Sequence, residues 1–142
     1  MLLGEHWISS RIGSVDKGKK AIASFIAVVD DDFRILESLE SLLEAAGYTV
    51  AVFLSGETFL QSNALAEASC LVTDIRMPKI DGLELQWRVK SQRPELPVIF
   101  MTAHFDDSVE RRAIEAGAAG FLRKTFSGAE FLKAVRHALD ER

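Results

Sequence analysis

Short apolar runs that each break off at a polar residue, with segments of helical period between them, constrain this chain more than any other feature. Ile26-Ala27-Val28-Val29 runs into Asp30-Asp31-Asp32, and Cys70-Leu71-Val72-Thr73 into Asp74. Val98-Ile99-Phe100-Met101 runs into Thr102, and Gly120-Phe121-Leu122-Arg123 into Lys124. Alternation of strands this short with helices is the pattern of βαβ units around a parallel sheet. Runs that are apolar at nearly every position imply burial on both faces, and therefore a helical layer above and below the sheet.

The helices are legible from their spacing. The first is predicted from Ile35, Leu36, Leu39, Leu42, Leu43 and Ala46, with Gly47 as its stop. Tyr48 to Phe53 reads as the second strand, and Ser55 as the cap of a second helix that carries Phe59 and Leu60 inward. A third helix follows Asp81-Gly82 with Leu83, Trp87 and Val89, and a fourth opens at Asp106 or Asp107 and closes at Gly117. The last begins at a capping box, Ser127 with Glu130, and carries Phe131, Leu132, Val135, Ala138 and Leu139 on one stripe. The expected fold class is α/β, a flavodoxin-like (βα)5 three-layer sandwich with a five-stranded parallel sheet in order 2-1-3-4-5.

Composition narrows the function. The chain has 142 residues, 48% hydrophobic and 27% charged, which suits one globular domain. A formal net charge of -4 offers no basic footprint, so direct binding of nucleic acid is not expected. Cys70 is the only cysteine; it reads as a small core residue and fits a reducing cytoplasm. No apolar stretch reaches the roughly 18 residues that a membrane span needs, and no signal-peptide h-region is visible. Residues 1–24 mix glycines and lysines with apolar residues of no clear period, so a disordered extension is expected there, native or left from expression. Docking of Trp7, Ile8 and Ile12 onto a partner is the alternative, and residues 25–142 are expected to form the domain.

In an open α/β sheet, ligands bind outside the carboxyl ends of the strands, at the point where strand order reverses. Strands one and three are neighbours there, which would bring Asp30, Asp31 and Asp74 into one pocket. Carboxylates packed together resist ionising unless a cation shares the site. A hard divalent ion with oxygen ligands solves this, and Mg²⁺ suits a few carboxylates, a carbonyl and retained waters. Taken singly, Asp32 reads as a helix cap, Asp74 competes with a turn-initiating Asp, and Lys124 and Thr102 are ordinary strand-end residues. Together they occupy the places where a phosphoryl-transfer site needs acids, a hydroxyl and an ammonium. Asp74 would be the nucleophile, Asp31 and Asp74 would hold the metal, and Lys124 would meet a phosphoryl oxygen as a point charge.

Val28-Val29-Asp30-Asp31-Asp32, Leu71 to Pro78 around Asp74, Asp81-Gly82, Val98 to Ala103 and Ala116 to Lys124 together resemble the receiver domains of two-component response regulators. The resemblance covers Phe25 to the C-terminus, and the wording around Asp74 and Thr102-Ala103-His104 looks most like receivers of nitrogen-fixation and LuxR-type regulators. It implies that Asp74 is the phosphoacceptor, Asp31 a direct ligand of Mg²⁺, Asp30 a ligand through water, and the backbone carbonyl of Arg76 a further ligand. It also implies that Thr102 and Phe121 are a switch pair, and that phosphate comes from a sensor histidine kinase or a phosphotransfer protein. Arg76 and His104 should flank the pocket mouth and tune the phosphoryl lifetime. The output would be the face of the fourth helix, fifth strand and last helix, with a phosphorylation-dependent homodimer as one use of it. Either a stand-alone receiver or the receiver part of a transcription factor is expected.

One position departs from the family. Proline commonly follows the lysine after a cis bond, whereas Thr125 follows Lys124 here. A non-proline cis bond costs roughly 2.5–4 kcal/mol, so a trans bond is predicted, with the aim of Lys124 in doubt. Two other chemistries share this topology. A Mg²⁺-dependent phosphohydrolase of the haloacid-dehalogenase type wants an acid two residues after its nucleophile, where this chain has Arg76. A flavin carrier wants a phosphate loop after the first strand, where three acids would repel it.

Overall fold

The computed structural model describes residues 23–140. Within them the order is β1 (Phe25–Val29), α1 (Phe33–Ala45), β2 (Thr49–Phe53), α2 (Gly56–Leu60), α3 (Ala64–Glu67), β3 (Cys70–Asp74), α4 (Gly82–Gln92), β4 (Val98–Thr102), α5 (Asp107–Glu115), β5 (Gly120–Arg123) and α6 (Gly128–Asp140). The expectations for the N-terminal extension lie outside the described residues, except at Ala23 and Ser24. The Ser24 carbonyl already accepts from Thr49 N at 3.0 Å, at the edge of the sheet.

Every strand pair is parallel, as the alternation of elements predicts, and the sheet order is β2-β1-β3-β4-β5, the flavodoxin-like order expected. Successive side chains on a strand point to opposite faces, and two cores result. Ala27, Val29, Leu71, Val98 and Phe100 pack with Phe59, Leu85, Val89 and Ala113 on one side. Ile26, Val28, Cys70, Val72, Ile99 and Met101 pack with Leu36, Leu39 and Leu43 of α1 and Phe131 and Val135 of α6 on the other. Phe59, Phe100 and Phe131 are fully buried, each worth about 2–3 kcal/mol of apolar transfer.

Local chemistry fixes the element ends. Asp32 accepts from Arg34 N and caps α1, and Gly47 stops that helix at φ 98°. Ser55, Asp81 and Asp106 cap α2, α4 and α5 in the same way. The Ser127–Glu130 box forms, with Ser127 N donating to Glu130 Oε1 at 2.8 Å and Glu130 N to Ser127 Oγ at 3.0 Å.

Three expectations are corrected. The second helix forms as α2, but a sixth helix, α3, joins the five read from the spacing; Ser62 separates the two by donating to the Phe59 carbonyl at 2.8 Å and accepting from Ala64 N at 3.1 Å. Trp87 is 71% exposed; Val89 is buried as read, and it is joined inside by Leu85 and Gln86 rather than by Trp87. The Lys124-Thr125 bond is cis, not trans. The trans expectation weighed only the local preference of that peptide, whereas Lys124 is held by tertiary contacts described below.

Candidate functional site

The ladder continues past the strand ends and so fixes the residues that follow. Asp30 N donates to the Phe53 carbonyl at 3.1 Å, Ile75 N to Met101 O at 3.1 Å, and Lys124 N to Thr102 O at 2.7 Å. Asp30, Asp74 and Lys124 are thus carried to one edge of the sheet by hydrogen bonds that every strand makes.

There the acids meet. Carboxylate oxygens of Asp30, Asp31 and Asp74 lie within 4.8 Å of one another. Asp30 and Asp74 are buried, and Asp31 is exposed. Asp30 has both oxygens engaged: Oδ1 accepts from Asp32 N at 2.9 Å and Oδ2 from Lys124 Nζ at 2.9 Å. Lys124 Nζ also stands 3.3 Å from Asp74 Oδ1. The doubt over its aim is removed.

The electrostatics follow from burial. Desolvation, then the negative charge of Asp30, push the Asp74 carboxyl from 3.8 up to about 6, although Lys124 pulls it back. Burial pulls the Lys124 ammonium down, but its hydrogen bond to Asp30 and the charges of Asp74 and Asp30 leave it above its ordinary value. Three carboxylates and one ammonium leave a formal charge of minus two at the pocket. Hard oxygen donors at this spacing and charge fit a divalent cation such as Mg²⁺.

The remaining candidates are tied to other partners or face solvent. Thr102 is buried, and its hydroxyl is tied to its own loop, donating to His104 O at 3.0 Å and accepting from His104 N at 3.1 Å. Phe121 is half-buried, its ring centroid 6.2 Å from that of Phe100. Arg76 and His104 are both exposed. Hydrogen bonds from the Ser108 hydroxyl and backbone N–H hold Asp106 below the usual carboxylate range, with a smaller contribution from the charge of Arg76.

Two features have weak sequence signals. Gly82 donates its N–H to Ile75 O at 2.7 Å, and a Cβ there would overlap the Asp74 carbonyl oxygen and stand 2.9 Å from Ile75 Cα. Only glycine allows α4 to start against the backbone of the central acid; a glycine directly after a capping Asp is the trace of it in the sequence. The second is Arg123, whose guanidinium carbon lies 3.6 Å from the centroid of the Phe105 ring. A loop phenylalanine and a strand-end arginine carry no period that would pair them.

Known proteins resemble this chain in sequence and in fold. Residues 26–136 match the response regulator receiver domain family. The response regulator protein TodT of Pseudomonas putida is 39% identical over 117 residues, covering 82% of this chain and 52% of TodT. The transcriptional regulatory protein FixJ of Azorhizobium caulinodans is 40% identical over 114 residues, covering 80% of this chain and 54% of FixJ. Among solved structures, a CheY-like receiver domain protein from Methanospirillum hungatei JF-1 superposes with a TM-score of 0.78 at 26% identity, covering 84% of this chain and 95% of that one. The response regulator StyR superposes with a TM-score of 0.77 at 38% identity, covering 84% and 60%. The chain spans about half the length of the curated relatives it matches. Among the described residues, no helix is long and apolar enough to cross a membrane. These matches lend the phosphohydrolase alternative no support. A parallel sheet in order β2-β1-β3-β4-β5 with acids at its switch point, matched by family and by relatives alike, makes this chain a member of the response regulator receiver domain family.

Proposed function

We propose that this domain is a phosphorylation switch in which Asp74 takes a phosphoryl group from a sensor histidine kinase or a phosphotransfer protein. The observation that carries the reading is the convergence of Asp30, Asp31, Asp74 and Lys124 at one end of the sheet. An ionised Asp74 oxygen attacks the phosphorus, the phosphorus–nitrogen bond to the donor imidazole breaks, and the electron pair returns to that ring. Lys124 meets the developing charge on a phosphoryl oxygen. Asp31, Asp74 and the backbone carbonyl of Arg76 would hold Mg²⁺. Asp30 would reach it through water, a role that suits a carboxylate with both oxygens already engaged. Mg²⁺ bound there offsets charge on the acids and on the phosphoryl oxygens. Arg76 and His104, both exposed, govern access of water to the acyl phosphate.

Phosphorylation then biases a two-state equilibrium. The Thr102 hydroxyl leaves His104 for the phosphoryl group, Phe121 turns inward behind it, and the face of α5, β5 and α6 changes. That face controls a partner, a second copy of this chain, or a DNA-binding domain in a longer protein. The last agrees with FixJ being a transcriptional regulatory protein of about twice the matched length. A cytoplasmic location follows from the same role.

Incubation with acetyl phosphate and Mg²⁺ should add one phosphoryl group by mass, and Asp74→Asn should abolish it; an adduct persisting in that variant rejects the assignment. Asp31→Ala should weaken Mg²⁺ binding several-fold or more in a titration, and an unchanged titration excludes it as a ligand.

A further inference from the structure

The loop that carries the Thr102 hydroxyl is fastened from outside. Thr102 spends its single proton on His104 O and accepts from His104 N, so the hydroxyl serves its own loop rather than the acids. The next residue, Phe105, is 49% exposed, yet one face of its ring is covered by the Arg123 guanidinium 3.6 Å away. Arg123 also reaches 3.6 Å from Glu110 Oε1, in the first turn of α5. In the sheet, Arg123 stands opposite Thr102 and directly precedes Lys124. One side chain therefore joins β5, the loop after β4 and the start of α5.

We infer that Arg123 is a latch: by stacking on Phe105 it holds the 102–105 loop in the conformation that keeps the Thr102 hydroxyl away from Asp74, and so slows phosphorylation. The inference rests on the switch role given to Thr102 above. For that hydroxyl to turn toward Asp74 it must release both His104 contacts, and residues 103–105 must rearrange. Phe105 then leaves the guanidinium. A cation–π contact at an exposed site changes such an equilibrium about two- to fivefold. The Glu110 contact adds little, being long and solvated on its Arg123 side. A domain whose competent conformer is a minor fraction reacts in proportion to that fraction, so loosening the latch speeds the reaction. Arg123 is a positioning residue, acting through Phe105 and Thr102.

The test uses two readouts on the same proteins. The His104 amide donates to Thr102 Oγ1 and reports the loop directly. In the unphosphorylated, Mg²⁺-free protein, its hydrogen exchange should quicken about two- to fivefold in Arg123→Ala and in Phe105→Ala. The double variant should be no faster than either single one, amides of α1 should be unmoved, and Arg123→Lys should keep most of the slow exchange. Labelling of Asp74 by acetyl phosphate should quicken by the same factor, a gain that loss of structural support would not produce. Unchanged exchange at His104 overturns the latch, as does faster exchange with unchanged or slower labelling. If the unsubstituted protein takes no phosphate at all, the proposed function fails, while the exchange rates still decide whether Arg123 fastens the loop.

Discussion

The two halves of the pocket edge are built from opposite materials. At the ends of β1 and β3 stand buried acids on strands whose residues are almost wholly inaccessible, joined to a half-buried lysine by contacts of 2.9 and 3.3 Å. At the ends of β4 and β5, the Thr102 hydroxyl holds only its own loop, and Phe121 and Arg123 belong to a strand buried at no position. The first half derives its rigidity from charges that cannot be separated cheaply. The second is held by solvent-facing contacts worth about 1 kcal/mol or less each. Chemistry needs the former, because reacting groups must be in place beforehand. A switch needs the latter, because two conformers must lie within a few kcal/mol of each other.

Removing the lysine tests the rigid half hardest. Lys124→Ala leaves Asp30 and Asp74 buried without their cation, and breaking a buried pair from one side costs about 3 kcal/mol. Thermal unfolding in chelator at neutral pH should show that loss, with much of it regained on adding Mg²⁺; a melting temperature that does not move would mean the acids are not strained against each other. Asp74→Asn should act in the opposite sense. The folded carboxyl titrates near 6 against an ordinary 3.8, so the folded state keeps a proton that the unfolded chain has already lost between those values. Metal-free stability should therefore rise as pH falls from above 6 toward 4, and at neutral pH the ionised group costs on the order of 2–3 kcal/mol. The asparagine variant should be more stable at pH 7 and flatter across this window, and equal pH profiles for the two proteins would contradict the burial argument. The smallest effect belongs to the loose half. Thr102→Ala removes hydrogen bonds within one loop and should cost about 1 kcal/mol or less, so a loss as large as that of the lysine variant would erase the contrast between the halves.

Most of the rigid half is legible in the sequence, for a physical reason. Apolar runs specify strands, right-handed crossovers narrow the strand orders open to them, and Asp30 and Asp74 are the first charged residues after their runs. Neighbouring strands then bring Asp30 and Asp74 together with no help from loops. The turn before α4 is less legible, because Gly82 is needed for a clearance that no periodicity records. The stripe reading also misplaced Trp87, since α4 buries the polar Gln86, whose Nε2 donates to Ala113 O of α5 at 3.3 Å. Buried polar residues with a tertiary partner look like surface until that partner is known. The contact between Arg123 and Phe105 depends on two exposed side chains, and nothing in the order of residues distinguishes it from solvent-facing scatter.

The sheet is also a bulkhead between two compartments. Phe100 and Phe121 belong to the compartment that holds Val109 and Ala113 of α5, while Phe131 and Val135 of α6 lie on the far side with α1. A ring rotating at position 121 therefore jostles α5 directly and α6 only through the backbone of β5. A protein that gripped α5 would hear the message first, and one that gripped α6 alone would receive it muffled.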